Sequence, residues 1–128
     1  MVKQLSIFLE NSPGRLANLI EILDKNRIRT LALGIAEAGN YGIVRMIVDD
    51  DTRAMEAMRA ENMAVNQAEV IIIDLNGMGT AVEILGKRGI NIDYAYSMDR
   101  GRLVIKVNKE EEAIKALLDA NLASYSKC

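Results

Sequence analysis

With 128 residues, half of them apolar, the chain can bury a core as one average domain or as two very small ones. Its formal charge of −2 lacks the basic surplus that neutralises phosphates, which argues against a nucleic acid partner. There is no His, and the single Cys, Cys128, is the last residue; the commonest general base, an internal disulfide and a zinc or iron–sulfur site are therefore missing, and neither an enzyme nor a cofactor is expected.

Lys3 to Leu9 alternates, with Leu5, Ile7 and Leu9 on one face and Gln4 and Ser6 on the other, the period of a half-buried strand. Asn11-Ser12-Pro13-Gly14 stops it. Ser12 reads as the N-cap of a helix and Pro13 as its first residue, where a missing N–H does no harm. Leu16, Leu19, Ile20 and Leu23 recur at helical spacing, and Asn26-Arg27 closes the helix. Ile28 to Ala36 and Tyr41 to Val48 read as a hairpin turning at Gly39-Asn40. Asp50-Asp51-Thr52 offers an N-cap and negative charge to a second helix carrying Met55 and Met58. Met63 to Val65 forms a short fourth strand.

The same order then restarts. Val70 to Ile73 is an apolar strand, Asn76-Gly77-Met78-Gly79 takes the place of Asn11-Ser12-Pro13-Gly14, and Val82, Ile84 and Leu85 belong to a third helix ended by a left-handed Gly89. Ile90 to Ser97 and Arg102 to Val107 make a hairpin around Asp99-Arg100-Gly101. Asn108 with Glu111 reads as a capping box for a helix striped by Ile114, Leu117 and Leu118, and Ala123 to Lys127 supplies a last strand. The chain is thus an internal repeat of roughly 65 residues. Residues 1–66 and 69–128 are the expected modules, joined by a linker from Asn66 to Glu69. Gly14 to Ile28 is three residues longer than Gly79 to Ile90, so the third helix is expected one turn shorter than the first, or its loop tighter.

At Asn11-Ser12-Pro13-Gly14-Arg15-Leu16 before a helix, and again at Gly89-Ile90-Asn91-Ile92-Asp93-Tyr94, the sequence resembles the ACT domain family, and most of all the stand-alone proteins made of two such domains. The resemblance implies an α+β fold of two tandem ferredoxin-like βαββαβ modules. Each would be an antiparallel sheet with helices on one face, the two pairing side by side into an eight-stranded sheet. It also implies a regulatory sensor that binds an amino acid between modules, where the loop before one module's first helix meets the start of the other's second strand. Carried over, the ligand residues are Asn11, Ser12, Pro13, Gly14, Arg15 and Leu16 with Asn91 and Ile92. A weaker second site takes Asn76, Gly77, Met78, Gly79 and Arg29, because Arg27-Ile28-Arg29 stands where Gly-Ile-Asn is usual and Met78 where Pro is usual. The chemistry suits a zwitterion. Free N–H groups at a helix N-terminus favour a carboxylate, glycine allows close backbone approach, and an Asn amide serves either charged end.

Structural roles compete for several of these residues. Pro13 and Gly14 serve equally to start a helix, Asn11 to close a strand as an Asx turn, and Asp74 to occupy an exposed strand end rather than meet an ammonium group. Tyr94 and Tyr96 read as sheet packing, and Glu110-Glu111-Glu112 as a solvated first turn. RNA binding needs sheet-face aromatics and basic charge that this chain lacks. The alternative to the sensor is a structural or partner-binding module without a ligand. An open sheet face carrying Ile43, Ile47, Ile71, Ile73 and the tyrosines would exceed what a small monomer exposes, so a homodimer is expected. An enzyme of amino-acid metabolism is a further candidate partner. No apolar run approaches the roughly 20 residues that cross a bilayer and no signal-peptide core opens the chain, so the expected location is the cytoplasm, with no membrane partner.

Overall fold

In a computed structural model, which describes residues 2–124, the period-two segment at the start of the chain is β1 (Val2–Glu10). It is followed by α1 (Arg15–Lys25), β2 (Thr30–Ala38), β3 (Tyr41–Val48), α2 (Asp51–Ala60) and β4 (Ala64–Asp74). The second half contains α3 (Met78–Lys87), β5 (Ile92–Met98), β6 (Arg102–Val107), α4 (Glu110–Asp119) and β7 (Ala123–Ser124). The remainder of the last strand expected to Lys127, and Cys128, lie outside the described residues. The chain divides into two compact units, Lys3–Ala68 and the part from Glu69 onward with Val2.

In the first unit β3 pairs antiparallel with β1, placing Ile7 opposite Val44, and with β2, placing Ile35 opposite Val44. The alternation of β1 turns Leu5, Ile7 and Leu9 inward, where they meet Val44, Met46 and Val48 of β3, Leu19 and Leu23 of α1, and Ala54 and Met58 of α2. Both helices therefore cover the same face of the strands. Leu16 does not join this core; it stays 37% exposed at the start of α1.

The second unit repeats the plan. β6 pairs antiparallel with β4, Ile72 opposite Val104, and with β5, Tyr96 opposite Val104. Ile71, Ile73, Leu103, Ile105 and Val107 meet Ala81 and Leu85 of α3 and Ala113, Ile114 and Leu117 of α4. Ile47, Ile71 and Ile73, expected on an open face, are all buried. The large apolar side chains that do stand exposed include Phe8, Ile35 and Tyr41 in the first unit and Leu75, Met78 and Val82 in the second.

The expected eight-stranded sheet is corrected. The described strands number seven, because the strands expected at Met63–Val65 and Val70–Ile73 are not separate: one strand, β4, runs from Ala64 to Asp74. Asn66-Gln67-Ala68-Glu69 is polar but contains no Gly or Pro, so nothing in it breaks extended backbone, and the chain runs straight through the expected linker. One strand closes the first βαββαβ order and opens the second.

All four helices end in one way. Arg27, Asn62, Gly89 and Asn121 have φ of 56°, 59°, 68° and 57°. The next residue's N–H reaches back into the last turn, as from Ile28 to Leu23 O and from Ile90 to Leu85 O, both at 2.9 Å. This paired left-handed ending satisfies carbonyls that the helix leaves open and turns an apolar residue back onto the core.

Candidate functional site

The two helix-entry loops, which the sequence treats as copies, are built differently. Arg15 N–H donates to Ser12 O at 3.4 Å across Pro13 and Gly14, and Gly14 has φ 89° and ψ −14°. Proline then glycine with positive φ at the second central position is a type II turn. The helix begins at Arg15 with Gly14 as its N-cap, not at Pro13 after Ser12. No side chain caps α1. Among the described residues, no protein acceptor meets the N–H groups of Leu16 and Ala17.

Asn11 is anchored by its backbone. Its N–H donates to Asn40 O at 2.8 Å, and its side-chain amide makes a long bond of 3.4 Å to Gly39 O. Among the described residues no donor meets the Asn11 side-chain oxygen, so an open acceptor and open donors stand at the two ends of one short loop. Arg15 reaches Glu10 at 3.3 Å, an ion pair whose members are each more than half exposed and so contribute little to stability. Glu10 and Arg15 also line a cleft of about 570 Å³, together with Asn18, Lys25, Asn62 and Met63 among others. Sequence reasoning passed over Asn18, Lys25 and Asn62. The signal was there for the first two: Arg15, Asn18, Ile22 and Lys25 repeat at helical spacing along the flank of the Leu19–Leu23 stripe of α1.

In the second unit Leu85 and Ile90 are spaced as Leu23 and Ile28 are, and Ala81 falls where Leu19 does, all of them buried. That correspondence puts Asn76 level with Gly14 and Asp74 level with Ser12; the expected match of Asn76 with Asn11 is three residues out of step. The two helices are nearly equal, 11 residues for α1 and 10 for α3, and the segments before them, 11–14 and 75–77, differ by one residue; the expected three-residue difference came from matching Gly14 with Gly79, which is level with Ala17. Met78 and Gly79 lie inside α3, and Leu75–Gly77 forms a single 3-10 turn before it. Asp74 accepts the Asn76 N–H at 2.8 Å, so it has a structural task at the strand end. At the expected weaker site Asp74 thus caps the 3-10 turn, while α3 itself, like α1, has no side-chain cap.

The strand-start residues do correspond. Arg29 N–H donates to Asp49 Oδ1 at 3.0 Å, and Asn91 N–H donates to Asn108 Oδ1 at 3.0 Å. In each unit the reverse backbone bond closes a clamp, Asp49 N–H to Arg29 O and Asn108 N–H to Asn91 O. Asn108 is therefore engaged here and not in the expected capping box; the N-cap of α4 is Lys109, without a side-chain bond. Two residues beyond each clamp the register slips, at Leu31 in β2 and Asp93 in β5. Such bulges re-aim side chains. Leu31 is buried, whereas Asp93 is exposed and accepts from the Asn91 amide at 3.0 Å, with Ile92 half-buried between them. Among the described residues no donor meets the Asn91 side-chain oxygen. Tyr94 and Tyr96 stack on each other, centroids 6.5 Å apart.

Among the described residues, no group of three His, Cys, Asp or Glu side chains could hold a metal ion, and no helix is long and apolar enough to cross a membrane.

The model of a family described as an ACT domain pair matches residues 1–126. Among solved structures, protein BT0572 from Bacteroides thetaiotaomicron is similar with a TM-score of 0.87 and 35% identity, over 95% of this chain and 90% of that one. The ligand-free regulatory subunit of aspartate kinase from Thermus thermophilus has a TM-score of 0.65 and 17% identity, covering 92% of this chain and 91% of its own. The corresponding subunit from Thermus flavus gives 0.64 and 15%, with 93% and 92% covered. At that identity the likeness to the two subunits is one of fold. Comparison with curated proteins returns no match.

Proposed function

The chain belongs to the ACT domain pair family, a family of regulatory ligand-binding modules, and from that premise we propose that it is a sensor of a free amino acid, with Asn11 to Leu16 as the principal contact. The observation that carries this is the uncapped entry to α1. With Gly14 in the left-handed conformation, the Leu16 and Ala17 N–H groups and the Asn11 side-chain oxygen of the same loop have no partner among the described residues. A carboxylate on the N–H groups and an ammonium on the amide oxygen use both ends of a zwitterion. Asn91 and Ile92 are the proposed second contact, supported by the free Asn91 oxygen and the Asp93 carboxylate bonded to the same amide, which favour an ammonium group. Asn76, Gly77, Met78 and Gly79 with Arg29 form the weaker contact set, consistent with the Asn76 N–H being satisfied by Asp74.

The protein acts as a regulator and not as a catalyst, and an enzyme of amino-acid metabolism is the proposed partner. The fold it shares with regulatory subunits of aspartate kinase supports that reading. A homodimer is supported by the exposed Phe8, Ile35, Tyr41, Met78 and Val82. Light scattering at tens of micromolar checks it, and a monomer there sinks it.

Thermal-shift and calorimetric titration across the twenty amino acids tests the sensor. The matching ligand at a hundred times its dissociation constant adds about 2.7 kcal/mol of stability. Asn11→Ala and Asn91→Ala each weaken binding by about 1.5–3 kcal/mol, and Asn76→Ala leaves it nearly unchanged. A protein that answers no amino acid, while remaining folded, is the ligand-free interaction module instead.

A further inference from the structure

The loop that enters α1 is tied to the turn of the first hairpin. The Asn11 N–H donates to Asn40 O at 2.8 Å, while the side-chain Nδ2 of Asn11 reaches Gly39 O at 3.4 Å, beyond the usual range for such a bond. Glu10, beside Asn11, stands opposite Tyr41 in the strand register and holds Arg15 at 3.3 Å. Gly39, with φ 67°, begins the turn, and Tyr41, 57% exposed, follows it. The second unit lacks this connection. Its turn closes on itself, Arg102 donating to Asp99 O at 3.2 Å and to Asp99 Oδ1 at 2.6 Å, and Asp74 is engaged with the Asn76 N–H. Among the described residues no hydrogen bond joins residues 99–101 to residues 75–77.

We propose that the Asn11 amide couples ligand occupancy of its loop to the Gly39–Asn40 turn, so that a bound ligand fixes the turn and the presentation of Tyr41 next to it. The inference rests on Asn11 being a ligand contact and adds the regulation of that site. A side-chain amide is one planar group with its acceptor and its donors at opposite ends. With Oδ1 unpartnered among the described residues, the group turns over the broad range open to such a terminal torsion, and Nδ2 makes only the long bond. A ligand ammonium on Oδ1 removes that freedom. It also polarises the amide, which makes Nδ2 a stronger donor to Gly39 O. The two contacts reinforce each other, and by linkage a displaced turn weakens the ligand by the same factor that the ligand holds the turn.

Each of the twenty amino acids is titrated into the full chain by calorimetry, and amide hydrogen exchange is followed by NMR with and without each one. With an amino acid that binds, exchange at Asn40 and Tyr41 slows, and exchange at Arg100 and Gly101 of the other turn does not. Gly39→Ala and Gly101→Ala supply the reciprocal measurement. The two glycines have nearly the same left-handed φ, 67° and 66°, and an added Cβ meets no other group within 4 Å at either. Gly39→Ala lowers the affinity for that amino acid about fivefold or more, and Gly101→Ala leaves it unchanged. Calorimetric binding with unaltered exchange at Asn40 and Tyr41, or affinities that the two alanine variants change alike, overturns the coupling and leaves the sensor reading standing. A folded chain that binds no amino acid overturns the sensor reading and the coupling with it.

Discussion

Asn11–Gly14 and Asp74–Gly77 enter equivalent helices, neither of which has a side-chain cap, yet one enters through a proline–glycine turn and the other through a 3-10 turn that Asp74 caps. In the first, a proline–glycine turn delivers the chain to α1 with no side chain in reach of the first N–H groups. In the second, Asp74 bonds the Asn76 N–H and a 3-10 turn runs directly into α3. A fold repeated in one chain needs both helices in place to bury their stripes, but the loops that enter them need not be alike. The units therefore agree in their cores and differ at their helix entries.

The largest effect should come where the units agree. Leu23→Ala and Leu85→Ala each remove a side chain at most 1% exposed, and each should cost about 2–5 kcal/mol in denaturant unfolding. A loss at one position several times that at the other would show that the cores are not equivalent. Gly14→Ala comes next. It forces a side chain into φ 89° and should destabilise by about 1–2 kcal/mol, while also weakening the amino-acid response. Gly77→Ala carries no such strain; its added carbon meets only the end of the Leu122 side chain, at 3.0 Å, which can move aside. Unfolding of the pair by urea should rank Gly14→Ala well below Gly77→Ala, and the reverse order would refute the type II turn.

Asp74→Ala should cost about 1 kcal/mol, the usual loss of a capping side chain. Ser12→Ala, at the corresponding position, should cost almost nothing because Ser12 caps nothing. Equal melting shifts for the two would erase the distinction between the loops. The smallest effect belongs to Glu110. The Lys106 ammonium bonds it at 2.6 Å and holds its carboxyl below its ordinary 4.5. A lowered folded value stabilises above 4.5 and the contribution disappears as pH falls through that lower value. Lys106→Met should flatten this part of the acid limb slightly, since the pair is partly exposed; an unchanged limb would remove Glu110 as its source.

Element order was legible because apolar periodicity is a local signal. The alternation of Leu5, Ile7 and Leu9, the helical spacing of Leu19 and Leu23, and the glycine after α3 each needed only near neighbours to be read. Boundaries without turn chemistry were not legible: Asn66 to Glu69 resembles a linker in polarity and is strand in fact. Of the candidate site, the Asn11 loop and the Arg29 and Asn91 strand starts occupy corresponding places at helix entry and strand start. Asn76 did not correspond to Asn11, because matching the loops by their asparagines and glycines ignored the register imposed by Leu85 and Ile90 against the core.

The sequence by itself determined the βαββαβ order, its repetition, the lack of histidine chemistry and the sites of the helix endings, all of which follow from short-range sterics and periodic burial. Only the tertiary structure decided which donors remain open and which side chains are spent. Ser12 and Asp74 are both good capping residues, yet only Asp74 is placed to bond an N–H. Asn108 is a good helix cap that instead clamps Asn91. A polar side chain can satisfy any of several partners within reach, and which one it takes depends on what packing has brought beside it.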